Sequence, residues 1–153
     1  MQPEVALMEN SGFTNPADKL VLVVDDEKGI RELLETIVRK EGFKVELALD
    51  GEEAIKKARA LSPDVILLDL MLPKSGGFEV VRELQGDETS GIPIIIITGR
   101  YMDRSTAELI RQEANVRDFL EKPIKMASLV AHLHQLLNTR PPAKKPPHNS
   151  RHS

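Results

Sequence analysis

Residues 65–68 read Val-Ile-Leu-Leu, an unbroken apolar run set between Asp64 and Asp69. Four residues are too few for a buried helix and suit a strand covered on both faces. Such a strand belongs in the interior of a parallel sheet, whose carboxyl edge opens into the crevice where these sheets bind ligands. Asp69 stands at that edge and is therefore a candidate working residue.

Two more runs have the same character. Residues 20–24 are wholly apolar and end in Asp25-Asp26-Glu27, and residues 94–97 are four isoleucines followed by Thr98-Gly99. Residues 44–49 alternate polar and apolar, as an edge strand does, and 117–120 form a short fifth strand before Lys122-Pro123. Between the strands apolar residues recur at helical spacing. Ile30, Leu33, Leu34, Ile37 and Val38 precede a stop at Gly42; Ala54, Ile55, Ala58 and Leu61 follow a cap at Asp50 with Glu53 three residues on. A loop through Pro73, Gly76 and Gly77 leads to a short helix near 78–84, residues 102–114 suit a polar helix, and Met126, Leu129, Val130, Leu133, Leu136 and Leu137 mark a closing one.

Five strands alternating with five helices predict an α/β fold, a doubly wound five-stranded parallel sheet in the order 2-1-3-4-5. The 153 residues divide into a flexible N-terminal extension (1–18), one domain (19–139) and a disordered, proline-rich basic tail (140–153). The net charge of −3 offers no basic field for nucleic acid or an anionic membrane. No apolar run reaches the length of a membrane span, the N-terminus lacks a signal-peptide pattern, and cysteine is absent. The expected location is the cytoplasm, a reducing compartment.

In the predicted order the switch lies between strands 1 and 3, so Asp25, Asp26 and Asp69 meet at one crevice, with Thr98 and Lys122 supplied by strands 4 and 5. Each carboxylate pair at about 5 Å and an effective dielectric near 20 costs about 3 kcal/mol, a crowding no structural need explains. The cluster calls for a cation, and oxygen-only ligands point to Mg2+ or Mn2+. Lys122 adds an ammonium, Thr98 a hydroxyl and Gly99 an open backbone N–H. Together these can hold a phosphoryl group in transfer, with Asp69 as nucleophile. Asp69→Asn should then raise the metal-free melting temperature.

This set in this order resembles the response-regulator receiver domain of bacterial two-component signalling, a flavodoxin-like module. The likeness spans about 20–137 and rests on Asp25-Asp26, Asp69 with Pro73 and Gly77, Thr98-Gly99 and the run from Asp118 to Pro123. It implies that Asp69 accepts a phosphoryl group from a histidine kinase or phosphotransfer protein, without enzymatic turnover. Asp26, Asp69 and the Met71 backbone carbonyl would bind Mg2+ directly, with Asp25 assisting. Thr98 and Lys122 would contact the phosphoryl group, Phe119 would be the switch aromatic, and Met71 and Arg100 would tune phosphoryl loss, made slow because Met71 cannot orient a water. The fourth helix, fifth strand and fifth helix (about 102–137) would form the output face, for a target protein or a homodimer, in a receiver without an output domain. Lys125 replaces the usual cap of the last helix, and Asn115 replaces a frequent glycine and is expected to take a left-handed turn. His132 and His134, two residues apart, are expected on different faces of the last helix, at the surface. The competing readings are a pseudo-receiver that acts by binding alone and an aspartyl-nucleophile phosphatase; the latter needs a second acid where Met71 stands.

Overall fold

The structure is a computed structural model that describes residues 12–72, 76–99 and 104–142. A 3-10 turn (Pro16–Asp18) leads into β1 (Leu20–Val24), α1 (Lys28–Lys40), β2 (Lys44–Ala48), α2 (Gly51–Leu61) and β3 (Val65–Asp69). There follow α3 (Gly77–Glu83), β4 (Ile94–Thr98), α4 (Arg104–Arg111), β5 (Val116–Glu121) and α5 (Met126–Leu137). The strands form one parallel sheet in the order β2-β1-β3-β4-β5. This is the expected flavodoxin-like topology, with its reversal between β1 and β3.

The three apolar runs explain the layering, because alternate residues of a strand face opposite ways. Leu22, Val24, Ile66, Leu68, Ile94 and Ile96 pack with Ala54 and Ala58 of α2, Val80 and Val81 of α3 and Ile110 of α4. Val21, Val23, Val65, Leu67, Ile95 and Ile97 face Leu34, Ile37 and Val38 of α1 and Leu129, Leu133 and Leu137 of α5. Both faces are filled, and each fully buried aliphatic side chain contributes about 2 kcal/mol. The sheet edge that carries the acids is thereby fixed in place.

Helix ends follow local chemistry. Gly42 ends α1 with φ +98°, a conformation that favours glycine, and Asp50 accepts from the Glu53 N–H at 2.8 Å to start α2. As expected, Lys125 makes no side-chain cap for α5.

Several expectations need correction. Residues 12–18, placed in a flexible extension, are tied down: Thr14 bridges Thr139, and its N–H donates to the Asn138 carbonyl at 2.7 Å. The fifth strand is not short but the longest of the five, with a register shift after Val116 that leaves Arg117 unpaired opposite β4. Asn115 is not left-handed among the described residues, where only Ser62 and Asn138 are non-glycine residues with positive φ. It is buried, and its side chain donates to the Ile92 carbonyl and accepts from Gln85. His134 is also buried (6% exposed), because its face of α5 lies against the α1–β2 corner rather than solvent. Its Nε2 lies 2.7 Å from Glu41 Oε1 and its Nδ1 2.7 Å from Thr139 Oγ1. His132 does face another way, half-buried, with Nε2 2.6 Å from Asp118 Oδ2. Residues 1–11, Pro73, Arg100 and the tail beyond 142 lie outside the described residues.

Candidate functional site

β1 and β3 are neighbours in register, with Val24 opposite Leu68, so Asp25 and Asp69 leave the sheet side by side. Carboxylate oxygens of Asp25, Asp26 and Asp69 all lie within 4.8 Å of one another. Asp25 is fully buried and Asp69 almost so, while Asp26 is exposed. Asp25 Oδ1 accepts from the Glu27 N–H at 2.9 Å, and Asp69 Oδ1 from the Met71 N–H at 3.0 Å. Gly77 packs closely on the residue after Asp69: its N–H donates to the Leu70 carbonyl, and a Cβ at Gly77 would sit 2.5 Å from Leu70 Cα. A side chain there would displace the backbone beside Asp69, which accounts for glycine at this position.

Lys122 arrives from the end of β5, its backbone N–H bonded to the Thr98 carbonyl at 2.8 Å. Its ammonium lies 3.2 Å from Asp69 Oδ2 and 3.5 Å from Asp25 Oδ2. One ammonium thus pairs with two of the three carboxylates, those of Asp25 and Asp69. Burial pushes the Asp25 carboxyl above its ordinary value, and the charge of Asp69 adds to this; the Glu27 N–H and Lys122 pull the other way without cancelling it. Burial alone would lower Lys122, but Asp69 and Asp25 outweigh it and hold the ammonium above its ordinary value.

Asp25 Oδ2 is buried and has no hydrogen-bond partner. Its one nearby positive charge among the described residues is the Lys122 ammonium at 3.5 Å, which lies closer to Asp69, so this buried oxygen stands in a cluster short of positive charge. With oxygen donors only, these three acids fit a hard divalent ion such as Mg2+.

The structure therefore brings Asp25, Asp26, Asp69 and Lys122 together. Thr98 is buried at the same edge, but its hydroxyl donates to the Gly99 carbonyl at 3.2 Å. Met71, two residues after Asp69, is 71% exposed. Phe119 is half-buried on β5 opposite Ile96, its ring 4.1 Å from the Arg111 guanidinium carbon. Two contacts were missed by sequence reasoning: Arg111 over Phe119, and Arg31 Nη1 donating to the Asp25 backbone carbonyl at 2.8 Å. Neither arginine interrupts an apolar pattern, so periodicity carries no signal for them.

The family described as response regulator receiver domain matches residues 21–134. The DNA-binding response regulator MtrA of Mycobacterium tuberculosis is 39% identical over 112 residues, covering 72% of this chain and 47% of that protein. The response regulator MprA of the same species is 36% identical over 122 residues, 80% of this chain and 52% of that protein. The chain thus spans about half the length of these curated relatives. Among solved structures, the receiver domain of the sensor histidine kinase PA1611 of Pseudomonas aeruginosa, with magnesium in its active-site cleft, superposes with a TM-score of 0.71. It is 29% identical and covers 79% of this chain and 98% of that one. A response regulator of Chloroflexus aurantiacus gives 0.70 at 31% identity, covering 78% and 97%. This chain belongs to the response-regulator receiver family.

Proposed function

We propose that this domain is a phosphoacceptor in a two-component pathway, with Asp69 receiving a phosphoryl group from a histidine kinase or phosphotransfer protein. The observation that supports this most is the meeting of Asp25, Asp26 and Asp69 at one point, with Lys122 paired to only two of them and the buried Asp25 Oδ2 without a hydrogen bond. Asp25, Asp26 and Asp69, with the Met71 carbonyl, would hold Mg2+ or Mn2+. A bound divalent ion would neutralise the carboxylates and the phosphoryl oxygens.

The chain's own groups do the rest. An oxygen of Asp69 forms the new P–O bond as the P–N bond of the donor phosphohistidine breaks, and the departing imidazole nitrogen regains a proton. Lys122, already 3.2 Å from Asp69, shifts its ammonium to the incoming oxygens. Thr98 exchanges its contact with the Gly99 carbonyl for the phosphoryl group, and Phe119 follows inward, leaving Arg111. Differential contacts of this kind bias two pre-existing states. The α4–β5–α5 surface then engages a target protein or a second copy, and the domain works in the cytoplasm. It is an acceptor without turnover on small substrates, since Met71 supplies no acid or base beside Asp69, and the acyl phosphate should persist for minutes.

Intact mass after incubation with a small phosphodonor such as phosphoramidate tests this. One phosphoryl group should be added with Mg2+, none in chelator and none in Asp69→Asn. Absence of the adduct in the wild type with Mg2+ would leave only a binding role, and continuous hydrolysis of the donor would favour a phosphatase.

A further inference from the structure

The acids are not held by their own side chains alone. Asp25 keeps its place through three hydrogen bonds: its N–H to the Ala48 carbonyl at 3.2 Å, its Oδ1 from the Glu27 N–H at 2.9 Å, and its carbonyl from Arg31 Nη1 at 2.8 Å. Of these hydrogen bonds only the last comes from another residue's side chain, and among side chains it alone holds the backbone there, since the Lys122 ammonium pairs with the Asp25 carboxylate, at 3.5 Å. The origin of the Arg31 bond matters, because α1 begins without a side-chain cap: Glu27 occupies the cap position and makes no capping bond, and the first turn holds no acid. α2, by contrast, is started by Asp50. The 25–27 turn therefore lacks the usual device that joins a loop to the helix after it. Arg31, half-buried one turn into α1, supplies that join from inside the helix.

We infer that Arg31 is a positioning residue for the divalent-ion site. By clamping the Asp25 carbonyl it fixes the 25–26 backbone, so that Asp25 Oδ2 stays aimed into the cluster and Asp26 stays beside it. The inference rests on the metal reading given above and adds a residue that touches neither ion nor phosphoryl group.

The sign of the effect separates positioning from simple charge. A guanidinium near a cation site repels the cation, so if charge were its only influence, Arg31→Ala would bind Mg2+ more tightly. Positioning predicts the reverse, because groups that orient metal ligands from outside the coordination shell support affinity.

The experiment titrates the metal-free protein with Mg2+ alone by calorimetry, for wild type, Arg31→Ala and Arg31→Lys, with melting curves to confirm that each folds. Arg31→Ala should bind Mg2+ about tenfold more weakly. Arg31→Lys keeps a donor and should fall between. The Mg2+ needed for half-maximal phosphorylation by phosphoramidate should rise by the same factor, while the rate at saturating Mg2+ stays within about twofold. Equal or tighter Mg2+ binding by Arg31→Ala overturns the inference while leaving the site intact. A wild type that binds no Mg2+ and forms no phosphoprotein overturns the underlying reading, and the inference with it.

Discussion

At the carboxyl ends of the strands, Asp25, Asp26 and Asp69 gather with one ammonium beside two of them; at the amino ends, Glu41 and Thr139 gather round the imidazole of His134. The lower group is closed. His134 Nε2 shares a hydrogen bond with Glu41 Oε1 at 2.7 Å, Nδ1 shares one with Thr139 Oγ1 at 2.7 Å, and the Phe43 ring lies beside the imidazole with centroids 5.1 Å apart. Thr139 is in turn bridged to Thr14. The upper group is open: of three carboxylates only two pair with the one lysine, and Asp25 Oδ2 has no hydrogen bond. Buried polar groups that satisfy one another fasten a fold, whereas buried groups left short of a partner wait for something from outside.

Removing the centre of the closed group should be the more damaging change. His134→Ala deletes two hydrogen bonds, leaves the largely buried Glu41 and Thr139 oxygens unpaired and opens a void beside Phe43. The expected loss is about 3 kcal/mol, read from denaturant unfolding. A loss under about 0.5 kcal/mol would mean that the lower cluster fastens nothing. Mg2+ should act on the open group alone. At about ten times its dissociation constant it should stabilise the wild type by about 1.4 kcal/mol through linkage. The cost of His134→Ala should be the same with and without Mg2+, within about 0.5 kcal/mol, since the clusters share no partner. A metal-dependent cost would show that the two ends of the sheet are coupled.

The two clusters also differ in how far the sequence reveals them. The open one ends three strands that announce themselves as apolar runs, so Asp25, Asp69 and Thr98 could be assigned to one edge from patterning, and Lys122 from the strand after it. The closed one unites a residue at the end of a helix, one on the buried face of α5 and one beyond its last turn. No period links Glu41, His134 and Thr139, and a histidine two residues from His132 reads as one more polar position. Asn115 misled for a related reason. Its type suits a left-handed turn, but the Ile92 carbonyl and Gln85 gave its amide buried partners, and tertiary hydrogen bonding prevailed over the local preference. Arg31 escaped notice because a bond to a backbone carbonyl leaves no trace in composition.

The smallest effect expected, and the one most specific to crowding, is that of neutralising Asp25. Asp69→Asn is the less direct test, because it removes the closest partner of Lys122, at 3.2 Å, together with a repulsion. Its effect on metal-free melting should accordingly fall short of that of Asp25→Asn. Asp25 lies at the centre of the cost: its folded carboxyl sits above the ordinary value of 3.8 through burial first and the charge of Asp69 second. A carboxyl raised in the folded state favours folding in its protonated form, so its ionisation costs stability as pH rises above 3.8, and the cost persists at neutral pH. Asp25→Asn keeps the oxygen that accepts from Glu27 and removes the charge. Without metal at pH 7 it should be more stable than wild type by about 1 kcal/mol, a few degrees in Tm for a domain of this size. That gain should fade as the pH is lowered, because folded wild-type Asp25 takes up its proton above 3.8. Adding Mg2+ should reverse the ranking, since the wild type gains a bound ion and the variant loses a ligand. If Asp25→Asn melts no higher than wild type at pH 7, Lys122 already balances the acids, and the contrast between an open and a closed cluster fails.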